Sequence, residues 1–230
     1  MSGAAFPFDN PHSTLDISSM WDFPNIVSVL AGAIETQEGA LRTEQAVYGL
    51  DSLDELQMHE RIAAAMLGAY SVAREVHYPS SAGNKLTHRR RCDLVLSPLG
   101  KPLKLDSRPP SLFDPPDPTE PGDALWLEVK VAYQFREGGI RHGGYSSQWR
   151  NGVVTDLQKM EQEAPIRHAG LLLVVFTESI EVFEKDVELF EDVLVQKGVI
   201  AGFRQARSVS ILERMGHRYC SVVVWPTIQR

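Results

Sequence analysis

Residues Leu171-Leu172-Leu173-Val174-Val175-Phe176, after Gly170, are apolar without interruption. A run of that length with no polar side is expected of a strand covered on both faces, over about 170–176. Just beyond it, Ile180, Phe183, Val187, Phe190 and Leu194 recur at spacings of three and four, which predicts an amphipathic helix with an acidic, solvated outer face. Two further strand-like runs follow, Ser208–Leu212 and Tyr219–Trp225, joined by a turn near Gly216.

Upstream, Leu125-Trp126-Leu127-Glu128-Val129-Lys130-Val131 predicts a strand within 124–134. Alternation places Leu125, Leu127, Val129 and Val131 on one face and Glu128 and Lys130 on the other. Arg90–Leu96 predicts another strand, with Cys92, Leu94 and Leu96 on one side and Arg91, Asp93 and Val95 on the opposite one. A third strand is expected over about 74–78. Before these, a helix is expected from Pro24 and a second through about Tyr48. A third runs from about Leu53 to Val76, with Ser52 as N-cap and Glu55 completing a capping box. A later helix is expected over about 152–163, after a mobile segment bracketed by Gly138-Gly139 and Gly143-Gly144. Residues 1–20 read as an irregular arm. The prolines at 109, 110, 115, 116 and 118 exclude helix or central strand over 106–123, which reads as a loop within an insertion spanning 98–123. The element order implies an α/β fold: a mixed central β-sheet flanked by helices. Residues 1–50 form an N-terminal arm and helical extension, and 51–230 the main α/β domain.

Composition adds constraints of its own. The content is that of a soluble globular chain, 43% hydrophobic and 23% charged, without an apolar run long enough to span a membrane. Two cysteines, Cys92 and Cys220, both in strand-like contexts, fit a reduced cytoplasmic interior better than a disulfide framework. The net charge of −7 is unevenly spread. Arg42 is the only Lys or Arg among residues 1–60, whereas Lys85–Arg108 is basic and Arg136, Arg141, His142 and Arg150 form a second cationic stretch. A local positive face of this kind can meet phosphates on an otherwise acidic chain.

Charges on core-like strands require partners, because burying one unpaired costs several kcal/mol. Asp93 and Glu128 lie on two such strands, with Lys130 two residues beyond Glu128 on the same face. Glu60 lies on the helix 53–76, where a spacing of 100° per residue sets it between Leu53, Leu56 and Leu67 on the apolar side. Ion pairs alone would explain each residue singly. Together they supply hard oxygen donors suited to Mg²⁺ or Mn²⁺, with an ammonium beside them.

Asp93, then Glu128-Val129-Lys130, preceded by Glu60 on a helix, resembles the signature of the PD-(D/E)XK nuclease superfamily of restriction endonucleases and Holliday junction resolvases. The resemblance covers about residues 53–176. Cys92 stands where the family often has proline, and the insertion lengthens the usual separation between Asp93 and Glu128. The resemblance implies a restriction-endonuclease-like core of a helix, a three-stranded meander, a second helix and a further strand. It implies that Asp93, Glu128 and the Val129 carbonyl bind the metal, that Glu60 is an accessory acid, and that Lys130 positions the attacking water. Arg91, Arg141, Gln148, Arg150 and Lys159 are candidate nucleic-acid contacts, and Asp156 sits on the same helix. The implied function is divalent-metal-dependent hydrolysis of DNA, with a homodimer or partner protein supplying specificity and no membrane. The alternatives are a non-catalytic DNA-binding or protein-interaction subunit on the same fold, and a metal-dependent RNase.

Overall fold

The computed structural model describes residues 21–79, 90–104 and 117–227, apart from the side chains of Gln148, Arg150 and Asn151. The arm at 1–20, the cations Lys85, Arg89 and Arg108, and the proline-rich part of the expected insertion at 105–116 lie outside these residues.

The first helix, α1, is Phe23–Thr43, a single helix where two are expected. Asp22 caps it by accepting the Asn25 N–H at 2.9 Å, and Pro24 occupies its first turn, where no intrahelical donor is needed. Helix α2 is Glu55–Met66. Its capping box is formed by Asp54 and Gln57, two residues beyond the expected Ser52–Glu55 pair: the Gln57 N–H donates to Asp54 at 2.8 Å and the Asp54 N–H to Gln57 at 3.0 Å. Ser52 belongs instead to a single 3₁₀ turn, Leu50–Ser52. α2 ends ten residues earlier than its apolar periodicity suggests. The chain turns at Leu67-Gly68-Ala69 and enters strand β1, Tyr70–His77, whose pairing with the next strand overrides helical propensity.

That next strand is β2, Arg91–Pro98, followed by β3, Leu125–Tyr133. Past β3, a small hairpin joins β4, Phe135–Arg136, to β5, Ile140–Arg141. Helix α3, Tyr145–Glu161, begins seven residues before its expected start, immediately after the glycine-bracketed segment, with Gly144 at its N-cap. It leads into β6, His168–Thr177, and α4, Ile180–Gln196. The last strands are β7, Gln205–Ser210, and β8, Tyr219–Pro226. Six strands form one sheet in the order β1-β2-β3-β6-β8-β7. Only β3 and β6 are parallel, and α3 is the crossover such a pair requires.

The sheet is mixed and has helices on both sides. α1 and α2 pack on Leu94, Leu96, Leu125, Leu127, Val129, Leu172 and Val174. On the opposite face α3 and α4 cover Trp126, Leu171, Leu173, Val175, Val223 and Trp225. The uninterrupted apolar run is thus accounted for, since β6 lies inside the sheet and its side chains feed both cores. Among the described residues, no helix is long and apolar enough to cross a membrane.

Strands β1 and β2 change phase part-way. Val72, Leu94 and Leu96 face α1 and α2, and Ala73 and Val95 face α3 and α4. Strict alternation would send Val76, Tyr78 and Cys92 to the α1/α2 side, yet all three join the other core. The expected grouping of Cys92 with Leu94 and Leu96 is therefore corrected. The cause is a local distortion at Glu75, whose φ is 51°, across from Asp93: pairing passes from Arg74↔Leu94 to Val76↔Cys92. A left-handed residue in a strand rotates the following side chains, as a bulge does.

At Gly170, β6 and β8 approach so closely that an added Cβ would lie 2.8 Å from the Trp225 carbonyl oxygen. Gly170→Ala is expected to cost about 1–3 kcal/mol through forced separation of the two strands. Denaturant titration is expected to show a lower midpoint with an unchanged slope; an unchanged midpoint would contradict the close approach.

Candidate active site

The β2–β3 ladder runs Leu96↔Leu125, Val95↔Trp126 and Leu94↔Leu127, and stops there. One step further along that register Asp93 would face Glu128. In place of backbone pairing, side chains bridge the parting strands. The Asp93 Oδ2 accepts the Val129 N–H at 2.8 Å, and the Cys92 thiol donates to the Leu127 carbonyl at 3.3 Å. The parting exposes a short length of both strands to α3, and the charged residues gather in it.

Glu128 lies at its centre, 3% exposed. Its Oε1 accepts the Tyr78 hydroxyl at 2.6 Å and also the Lys159 ammonium, from α3. That ammonium stands over the Tyr78 ring, 4.5 Å from its centroid. Burial, reinforced by the negative charge of Asp93, holds the Glu128 carboxyl above its ordinary range, although Lys159 and Tyr78 pull it down. Burial also raises the Tyr78 phenol, so the hydroxyl stays protonated and donates. Lys130 and Asp156 form a second link between β3 and α3 at 3.4 Å. The Lys130 side chain is 25% exposed. Burial works against its charge, but Asp156, Asp93 and Glu128 outweigh it and raise its pKa. Asp156 is raised chiefly by burial.

Asp93, Glu128 and Lys130 are thus brought together as the sequence suggests. Glu60 is not. The buried face of α2 is Met58, Ile62, Ala63 and Met66, while Leu56, Leu67 and Glu60 are exposed. The α2 acid whose charge acts on Lys130 is Glu55, about 140° around the helix from Glu60. Glu55 stands outside the capping box, exposed and 3.9 Å from His59. Lys159, expected at a nucleic-acid surface, is instead an internal partner of Glu128, its side chain 12% exposed. Arg91 and Arg141 are exposed and paired with Glu75 at 3.9 Å and Glu178 at 2.9 Å. Gln148 and Arg150 lie on α3, with side chains outside the described residues. Trp149 is core, against Phe190. The sequence reading missed Tyr78, because only the phase change at Glu75 turns it inward. The inward position of Asp156 was legible: it sits on the stripe Trp149, Val153, Leu157 and Met160.

Among the described residues, no group of three or more His, Cys, Asp or Glu side chains is arranged to hold a metal ion. The available donors are two carboxylates, whose hydrogen bonds use Asp93 Oδ2 and Glu128 Oε1. That set fits a hard dication such as Mg²⁺, which keeps several waters and takes one or two carboxylates together with substrate phosphate. It does not form a closed protein cage.

A second buried charge cluster has a different character. His217, fully buried, accepts the Phe135 N–H on Nε2 at 3.0 Å, so its proton is on Nδ1 and is donated to Asp51 at 2.9 Å. With both ring nitrogens engaged, it is a structural histidine. Beside it the buried Glu38 of α1 accepts from Arg42, Arg214 and the Leu212 N–H, which outweigh burial and lower its pKa. A polar cavity of about 670 Å³, bordered by Phe135, Glu178, Arg214 and Arg218, lies beyond the end of β3 and holds none of the Asp93–Glu128–Lys130 group.

No protein-family model, curated protein or solved structure matches this chain.

The raised Glu128 carboxyl has a consequence for stability. The folded protein keeps this proton to higher pH than the unfolded chain does, so the folded state is favoured most near and below pH 4.5, the ordinary value, and loses that advantage as pH rises through the raised value. Asp93→Asn keeps an acceptor for the Val129 N–H and removes the like charge. Thermal melts in chelator between about pH 4.5 and 8 are expected to show a shallower decline for the variant. An identical slope would mean that Asp93 does not act on Glu128.

Proposed function

We propose that the protein is a divalent-metal-dependent nuclease that hydrolyses DNA phosphodiester bonds, on a restriction-endonuclease-like core. The observation that carries this reading is the juxtaposition of Asp93, Glu128 and Lys130 where β2 and β3 part. The succession of α2, the antiparallel meander β1–β2–β3, α3, and β6 parallel to β3 supports the core assignment.

In this reading Asp93 and Glu128 hold Mg²⁺ or Mn²⁺, with the Val129 carbonyl beside them. When bound, the ion supplies Lewis acidity, lowering the pKa of water and neutralising phosphate charge. The chain's own groups do the rest. Tyr78 fixes the Glu128 rotamer. Lys130, kept cationic by its acidic neighbours and partly open to solvent, orients the attacking water and offsets charge developing on the phosphate. The glycine-flanked hairpin carrying Arg141, and α3 with Gln148 and Arg150, are the proposed phosphate contacts, and sequence preference comes from a second copy or a partner.

Asp93→Asn, Glu128→Gln and Lys130→Met are each expected to lower cleavage by about 10²–10³-fold or more while the protein stays folded. The assay compares duplex DNA, single-stranded DNA and single-stranded RNA with Mg²⁺ or Mn²⁺, which also distinguishes a ribonuclease. Full activity in the three variants would end the assignment.

One observation favours a second reading, a non-catalytic DNA-binding subunit: the Glu128 charge is already matched by Lys159 and Tyr78. DNA binding with no calorimetric response to Mn²⁺ would select it.

A further inference from the structure

We infer that Lys159 is a resident cation of the site, holding Glu128 while no metal is bound and passing to a substrate phosphate when one arrives, so that metal and phosphodiester load together. The inference rests on the nuclease reading and adds to it a mode of regulation.

The ammonium occupies a built niche. One side is the Glu128 carboxylate and the other the face of the Tyr78 ring, itself tied to the same Oε1. A lysine buried to this extent does not meet nucleic acid where it stands. Nor can a dication settle on Glu128 without meeting the ammonium at the same carboxylate, where the two repel. Lysine suits an exchange of partners, since it is a compact charge on a flexible four-carbon stem, with three donors and no fixed fork.

Charge balance gives the exchange its direction. Asp93, Glu128 and Asp156 against Lys130 and Lys159 sum to −1 when all are ionised. Adding a dication brings the group to +1, and a phosphodiester anion then restores neutrality. Each ligand therefore improves the site for the other. The same linkage requires that metal tighten nucleic-acid binding by the factor by which nucleic acid tightens metal binding. Lys130 differs in this respect: its partner is Asp156, so it leaves Glu128 to Lys159.

The test is Mn²⁺ binding by calorimetry at pH 8, with and without a duplex carrying non-cleavable phosphorothioate linkages. The full chain, Lys159→Gln, Lys159→Met and Lys159→Arg are compared, and circular dichroism checks folding. Lys159→Gln can still donate to Glu128, so it covers the case in which the methionine variant does not fold. In the unsubstituted protein, duplex is expected to tighten Mn²⁺ binding by about tenfold. The glutamine and methionine variants are expected to bind Mn²⁺ alone about tenfold more tightly and to lose most of the gain from duplex, while Lys159→Arg keeps it. Folded glutamine or methionine variants that bind Mn²⁺ no better than the unsubstituted protein would overturn the inference and leave the metal site standing. Absence of Mn²⁺ binding in every protein, with and without duplex, would overturn both the inference and the nuclease reading.

Discussion

A carboxylate enclosed between a sheet and a helix has to be matched by groups that reach it from several directions, and Glu128 imposes that requirement on much of this fold. Tyr78 reaches it from the end of β1, Lys159 from α3, and the charge of Asp93 presses on it from β2. The Tyr78 contact would not form if β1 kept strict alternation to its end. The phase change at Glu75 brings Tyr78 and Cys92 to the α3 side, and the end of backbone pairing after Leu94↔Leu127 leaves Asp93 beside Val129. The chemistry of the site and the irregularity of the sheet are one arrangement.

The apolar layers give that arrangement its rigidity. β6 is buried on both faces and holds β3 in register through a parallel ladder from Leu125↔His168 to Tyr133↔Phe176. A site built on an interior strand of this kind is fixed in position by the surrounding core. Its adjustable parts are the long side chains, Lys130 from the sheet and Lys159 from α3 packed upon it.

The features legible in the sequence were those set by periodicity. The doubly buried β6, the stripe of α4 and the alternation within β3 all follow from which residues are apolar, and the tertiary structure agrees with them. The start of α2 was displaced because Ser52-Leu53-Asp54-Glu55 contains two possible caps, and Asp54 rather than Ser52 is used. The end of α2 was misplaced because residues 67–76 carry apolar positions that suit a helix as well as a strand, and only pairing with β2 decides between them. Asp93, Glu128 and Lys130 were found because charges on apolar strands are conspicuous. Tyr78 and the role of Lys159 depended on one residue's backbone dihedral and on the placing of α3, neither of which local pattern encodes. The Glu38–Arg214 and Asp51–His217 pairs join residues more than 160 positions apart and left no local trace.

Those distant pairs bear on how the chain acquires its shape. α1 lies against β7 and β8, and the polar anchors of this region, Glu38 on α1 and Asp51 just after it, are completed by residues 212–217. While the chain is being synthesised, the first helix can pair Glu38 with Arg42 and pack on α2, but it lacks β7, β8 and the Arg214 guanidinium until almost the whole described sequence has emerged. Contacts of such long range slow folding and prolong the exposure of Ile26, Val27 and Leu30. Docking of α1 against β7 and β8 therefore has to wait for the last strands of the sheet.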